Sequence, residues 1–219
     1  MPAFSAFVLP VYSNAAMTGQ NNPARKVSPV AKRSVCVFCG SRPGRDPAHA
    51  AAATDLGRAL AAQGWRLVYG AGDVGLMGLV ARATQEAGGD TFGVIPRHLL
   101  DLEVGKTDLT RFVVTETMHE RKKVMFTNSD AIVVLPGGAG SLDEFLEVLT
   151  WAQIGLHAKP IYLLNANGYW TPLIALLDHV IAEGFAGISL CDHFEVVPDV
   201  ATLTGALNTC FSGRHGPVE

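Results

Sequence analysis

Apolar positions along the chain alternate between two periods. Ala131-Ile132-Val133-Val134 is a β-branched run bounded by Asp130 and Pro136. It reads as a strand buried on both faces of a parallel sheet. Immediately after it, Leu142, Phe145, Leu146 and Leu149 fall at i, i+3, i+4, i+7 and predict an amphipathic helix. The same alternation recurs along the chain. Strands are predicted at Ser34 to Phe38, Arg66 to Tyr69, Thr91 to Ile95, Phe112 to Thr115, Lys159 to Leu164 and Phe194 to Val197. The helix after the first strand starts at Asp46-Pro47, an N-cap followed by a first-turn proline, and stops at Gly64. A second stripe is Leu76, Leu79, Val80 and Ala83. A later helix opens at Thr171-Pro172, turns Leu173, Leu176, Leu177, Val180 and Ile181 inward, and stops at Gly184. Val200 to Phe211 closes the chain, and Pro96 to Gly105 is short and irregular. Strands alternating with helices predict a Rossmann-like three-layer α/β sandwich with a mostly parallel sheet. One domain covers 32–213, without internal repeats. Residues 1–31 read as a flexible N-terminal tail, with Met17 an alternative start, and 214–219 as a C-terminal tail. A cleft is expected at the C-terminal ends of the strands.

The turn between the central strand and its helix is Pro136-Gly137-Gly138-Ala139-Gly140-Ser141. Its glycines let a ligand approach the backbone, and the helix start offers free N–H groups and a positive dipole end, which suit a phosphate. No Lys follows the last glycine, so this is not a Walker A loop. Ser141 and Glu144 fit a capping box, which would make Glu144 structural; the glycines before them point instead to a ligand.

One helix contradicts its own pattern. Met118, Arg121, Lys122 and Met125 occupy i, i+3, i+4, i+7, so two cations sit on the inward stripe. Buried cations need an anion. That anion is either a carboxylate such as Glu144 or Glu147, or a bound phosphate. Thr117 and Glu120 form a capping box at the start of this helix. Upstream, Gly70-Ala71-Gly72-Asp73-Val74-Gly75 is a literal GxGxxG, but Asp90 begins the next strand rather than ending it, which argues against a dinucleotide site. Gly40-Ser41-Arg42 is either a surface turn or a second wall for a nucleotide.

Composition adds exclusions. The 219 residues are 48% hydrophobic and 17% charged, with a net charge of −3, so no basic footprint for nucleic acid exists. No apolar run spans a membrane, and no secretory signal is evident. Four cysteines without such a signal fit reduced thiols and a cytoplasmic protein. Cys36 and Cys39 match CxxC, but in a strand they face opposite sides, which disfavours a shared metal. The histidines lack ligand spacing, so no metal or cofactor is expected.

Pro136 to Glu144 is similar to the PGGxGTxxE signature of the Lonely Guy family, the cytokinin riboside 5′-monophosphate phosphoribohydrolases, often labelled lysine decarboxylase-like. Met118-His119-Glu120-Arg121-Lys122 resembles that family's MHxRK motif. Ser141 stands where the family usually has Thr, and Ala71 where it has a middle glycine. The resemblance runs from about Val35 to the last helix. It implies hydrolysis of the N-glycosidic bond of a cytokinin or purine nucleoside 5′-monophosphate such as AMP. Glu144 and Arg121 would be catalytic. Gly137, Gly138, Gly140, Ser141, Lys122, Glu103, Thr150, Ser41, Gly40 and Met118 would bind the substrate. It also implies a homodimer. A non-catalytic nucleotide or molybdenum-cofactor carrier on the same fold is the alternative. A pyridoxal-phosphate decarboxylase would need a Schiff-base lysine, for which Lys122 and Lys159 are the nearest candidates.

Overall fold

The computed structural model describes residues 33–100 and 105–213. The expectations for both tails and for Glu103 fall outside those residues. Seven strands form the sheet: β1 (Ser34–Phe38), β2 (Arg66–Tyr69), β3 (Thr91–Pro96), β4 (Arg111–Thr115), β5 (Ala131–Val134), β6 (Ile161–Leu164) and β7 (Glu195–Val197). Their order is β4-β3-β2-β1-β5-β6-β7, and every pairing is parallel. The chain runs outward from β1 in one direction through β4, then returns to the other side of β1 with β5. The strand order therefore reverses between β1 and β5, and a crevice opens above their C-terminal ends.

Helices α1 (Pro47–Ala62), α2 (Gly75–Glu86) and α7 (Val200–Gly213) cover one face of the sheet, burying Leu56, Leu60, Val80, Leu203 and Leu207. Helices α4 (Met118–Thr127), α5 (Ala139–Gln153) and α6 (Thr171–Ala182) cover the other through Met125, Phe145, Val148, Leu173 and Leu177. A four-residue α3 (Arg97–Leu100) and 3-10 turns at Ala166–Gly168 and Ile188–His193 complete the description. Cys39 packs in the first core and Cys36 in the second, on opposite faces of β1 as its two-residue period requires. Burial raises both thiols well above their ordinary range, so they are unreactive hydrophobes.

Local signals explain most of the boundaries. Asp46 caps α1 through Oδ1, which accepts from the Ala48 amide at 2.9 Å, and Gly64 ends it with φ 69°. Thr117 and Glu120 form the reciprocal capping box of α4. The Ser141–Glu144 capping box, the alternative that the glycines before it argued against, does not form. The N-cap of α5 is Gly138 and no side chain caps it, so Ser141 and Glu144 lie inside the helix. Two inward stripes are narrower than their periodicity. Leu146 is 41% and Leu176 55% exposed, because each sits at the margin of a helix face whose centre alone meets the sheet.

The GxGxxG segment serves packing. Gly75 has φ 56°, and a Cβ there would lie 2.3–2.5 Å from backbone atoms of Ser41 and Arg42. The Leu76 amide donates to the Gly40 carbonyl at 3.0 Å. The start of α2 is thereby seated on the loop after β1. Ala71 adopts φ 59°, a left-handed conformation that costs a residue with a Cβ about 1–2 kcal/mol. Ala71→Gly is expected to raise stability by about 0.5–1 kcal/mol, since strain relief is partly offset by a freer unfolded chain. Urea denaturation at constant m reads this directly.

Candidate active site

The crevice at the β1/β5 switch is a cleft of about 500 Å³. The end of β1 and its loop supply one wall, with Gly40, Ser41 and Arg42. The turn Pro136 to Ser141 and Glu144 supply the other. Gly70, Met77, Met118, Arg121 and Met125 form its inner side. The sequence-predicted residues Gly40, Ser41, Met118, Arg121, Gly137, Gly138, Gly140, Ser141 and Glu144 thus meet in one place. Lys122 and Thr150 do not line the cleft in this chain. Thr150 is exposed and its hydroxyl donates to the Leu146 carbonyl within its own helix.

The glycine turn has two kinds of glycine. A Cβ on Gly137 would fall 2.0 Å from Ser141 Oγ and 2.9 Å from the Gly40 amide, so only glycine fits. Gly138 and Gly140 have nothing within 4 Å of where a Cβ would stand. They face open space at a helix N-terminus whose first intrahelical bond is Leu142 N–H to Gly138 carbonyl, 3.1 Å. The amides before Leu142 lack intrahelical partners, which is the arrangement that accepts a phosphate.

Arg121 and Lys122 are both buried, yet their surroundings differ. Lys122 Nζ lies 3.0 Å from Asp143 Oδ2 and 3.1 Å from Glu147 Oε1. Burial alone would lower its pKa, but these two carboxylates pull it above its ordinary value. Its ammonium is held in an internal ion-pair triad. Arg121 instead donates from Nε to the Val94 carbonyl (3.1 Å) and from Nη2 to the Gly70 carbonyl (2.9 Å), with Nη1 3.8 Å from Met118 Sδ. Among the described residues no carboxylate reaches it at ion-pair distance. A guanidinium held by neutral carbonyls in a cleft has a geometry that can also offer N–H groups to an anion.

Gly70 is what makes room for it. A Cβ on Gly70 would sit 1.9 Å from Arg121 Nη2. Gly70→Ala should displace the guanidinium while leaving every charge in place. At least a tenfold loss of kcat/KM is expected, the scale of one misplaced site group. Activity equal to wild type would show that the orientation of Arg121 is irrelevant.

Glu144 lies one helical turn beyond the glycine turn, only 9% exposed. Burial pushes its carboxyl from the ordinary 4.5 up to about 7, against the opposing pull of Arg121; Asp143 and Glu147 add to the rise and Lys122 lowers it. Lys122 therefore acts on the cleft electrostatically, through the carboxylate cluster. Asp143, Tyr169 and His49 also line the cleft and carried no motif in the sequence. Tyr169 lies in the loop after β6, which the strand-end rule could have flagged. Among the described residues no cluster of His, Cys, Asp and Glu could hold a metal ion, and no helix is long and apolar enough to cross a membrane.

A family model described as "Possible lysine decarboxylase" matches residues 77–207. The cytokinin riboside 5′-monophosphate phosphoribohydrolase LOG5 of Arabidopsis thaliana is 43% identical over 175 residues, covering 80% of this chain and 77% of that protein. The enzyme LOG of Oryza sativa subsp. japonica, which carries the same functional name, is 45% identical over 153 residues, 70% of this chain and 63% of that one. Among solved structures, the molybdenum cofactor carrier protein of Chlamydomonas reinhardtii superposes with a TM-score of 0.64 at 23% identity, covering 83% of this chain and 99% of that one. That likeness shows the fold alone. With the family model matching more than half of the chain and such identity over three quarters of LOG5, the chain belongs to the lysine decarboxylase-like family that includes the Lonely Guy phosphoribohydrolases.

Proposed function

We propose that this protein hydrolyses the N-glycosidic bond of a nucleoside 5′-monophosphate to free base and ribose 5-phosphate. One observation carries the reading: the buried carboxylate of Glu144 shares a cleft with open helix-start amides and an Arg121 that no carboxylate among the described residues reaches at ion-pair distance. The amides of the Gly138–Ser141 turn and the Ser141 hydroxyl hold the 5′-phosphate. That anchoring positions the ribose, so a nucleoside without phosphate reacts poorly. The C1′–N bond breaks through an oxocarbenium-like sugar, which ionised Glu144 stabilises while it attacks C1′ or orients the water that does. The water oxygen ends on C1′ and a proton ends on the departing base nitrogen. Arg121 orients the Glu144 carboxylate or polarises the leaving group.

A carrier that only holds phosphate has no use for a buried carboxylate kept near 7. A Schiff-base decarboxylase needs a free lysine, and the two nearest candidates are both engaged. Lys122 is locked between two carboxylates, and Lys159 donates to the carbonyls of Phe126 and Ser129 and lies 3.9 Å from the Phe126 ring.

A homodimer belongs to the same proposal. Leu146, Ile154 and Leu156 expose 41%, 63% and 68% of their surface around α5, beside a groove walled by Phe126 and Trp151. A second copy on that face would cover them. Sedimentation should give twice the 23.2 kDa chain mass.

The test of function is product analysis after incubation with AMP and with its N6-isopentenyl analogue. Free base with stoichiometric ribose 5-phosphate is expected, and the faster of the two identifies the preferred base. Retention of tightly bound nucleotide without cleavage would favour the carrier.

A further inference from the structure

The glycine turn that would hold a phosphate carries the flexibility of three glycines, so something outside it must fix its shape. On one side the loop after β1 does so: the Gly40 amide donates to the Pro136 carbonyl at 3.0 Å, and Gly40 blocks any Cβ on Gly137. On the other side stands a residue that neither the motifs nor the family resemblance pointed to. Tyr169 donates its hydroxyl to the Gly137 carbonyl at 2.6 Å, a short bond for two neutral groups. Its ring packs edge-on against the buried His49, 5.2 Å between centroids, and against Trp170 at 4.8 Å.

The chain is bent to place that hydroxyl. Asn167 and Gly168 both take left-handed backbone, φ 51° and 74°, and Asn167 does so despite its Cβ. Asn167 Nδ2 donates to Asp46 Oδ2 at 2.9 Å, while the other Asp46 oxygen caps α1. Asn165 Oδ1 takes the Trp170 amide at 2.6 Å, and the Asn165 amide bonds the Val197 carbonyl at 2.8 Å. The loop after β6 is thus clasped across the cleft to the loop after β1.

We infer that Tyr169 is a positioning residue that sets the orientation of the phosphate-holding amides, with the Asn167–Asp46 bond as the clasp that holds Tyr169 in place. In a trans peptide the carbonyl and the following N–H point in opposite directions. Fixing the Gly137 carbonyl therefore fixes the Gly138 N–H, the first donor of the turn. Tyr169 touches no reacting atom in this role. This deepens the phosphoribohydrolase reading and rests on it for its consequence in turnover, though not for its structural content.

Tyr169→Phe removes the hydroxyl and keeps the ring against His49 and Trp170. The primary readout is hydrogen exchange, in ligand-free protein, of the two amides that bond into the turn, Leu142 to the Gly138 carbonyl and Gly40 to the Pro136 carbonyl, which needs no assumption about the substrate. Exchange should rise about three- to tenfold, the worth of one net hydrogen bond, while core amides of β1 and β5 keep their rates. In parallel, KM for AMP should rise by a similar factor with kcat little changed, and the poor turnover of adenosine should not move. Asn167→Gly retains the left-handed backbone but opens the clasp, and should give a smaller rise at the same amides. It carries the test if Tyr169→Phe does not fold. Unchanged exchange at the Leu142 and Gly40 amides in the folded variant overturns the inference. So does a lowered melting temperature with exchange at the turn unaltered, which would make Tyr169 a packing residue. If wild type cleaves no nucleotide, the proposed function fails while the exchange result still decides this one.

Discussion

Glu144→Gln should abolish turnover and at the same time stabilise the protein above neutral pH. The loss of activity follows from the chemistry: a neutral amide neither stabilises a positive sugar nor attacks it, and a loss of about 10²–10⁴-fold in kcat is expected. The gain in stability follows from burial. In the unfolded chain Glu144 ionises near its ordinary 4.5, and in the folded protein only near 7. Between those values the folded state binds the proton that the unfolded state has released. Stability therefore falls as pH rises through that window, and the penalty is complete above about 7. A shift of this size corresponds to about 3 kcal/mol at most. Glutamine removes it. The difference between variant and wild type should be near zero at pH 4 and approach that limit at pH 8, read by denaturant melts at both values. Wild-type kcat/KM should fall on the acid side with an apparent pKa near 7, because catalysis needs the ionised form. A variant less stable than wild type at pH 8 would mean that the carboxylate makes favourable bonds that outweigh its burial.

Arg121→Ala is expected to cost about 10²–10³-fold in kcat/KM, the scale of removing one preorganised charge donor. The loss should appear in both kcat and KM. Three consequences act together. The departing base or the Glu144 carboxylate loses its partner. The Gly70 and Val94 carbonyls lose their donor. Glu144 loses the strongest influence opposing its raised pKa, so the acid limb should move upward from about 7. Arg121→Lys should rescue little, because an ammonium cannot serve two carbonyls and still present a planar fork. Unchanged kinetics in Arg121→Ala would reduce the residue to a structural brace, and a displaced acid limb separates the predicted loss from simple unfolding.

The sheet and its order of elements were legible because both periods are strong and their punctuation is unambiguous. Asp46-Pro47, Gly64, and Thr117 with Glu120 each act through contacts within a few residues. The cleft was legible for the same reason: the glycine turn and the inward cations are local anomalies. What remained hidden depends on distant pairs. Ser141 and Glu144 have the spacing of a capping box, but the helix begins earlier, at Gly138, because the open glycine turn lets the chain coil sooner. Lys122 shared the inward stripe with Arg121, and of the carboxylates expected as its anion Glu147 does take it, together with Asp143, which no pattern signalled. Ala71 stands where the family usually has a glycine, and it takes the left-handed backbone there despite its Cβ, which its sequence position alone does not show. Tyr169 reaches the Gly137 carbonyl from 32 residues away, which no spacing rule signals.

The most direct test of the account compares wild type and Glu144→Gln on AMP and adenosine, following release of adenine by chromatography. Wild type should release adenine from AMP and very little from adenosine, and the variant should release almost none from either while still binding AMP. Equal cleavage of AMP and adenosine, or cleavage by Glu144→Gln at the wild-type rate, would contradict a phosphate-anchored glycosidase acting through that carboxylate.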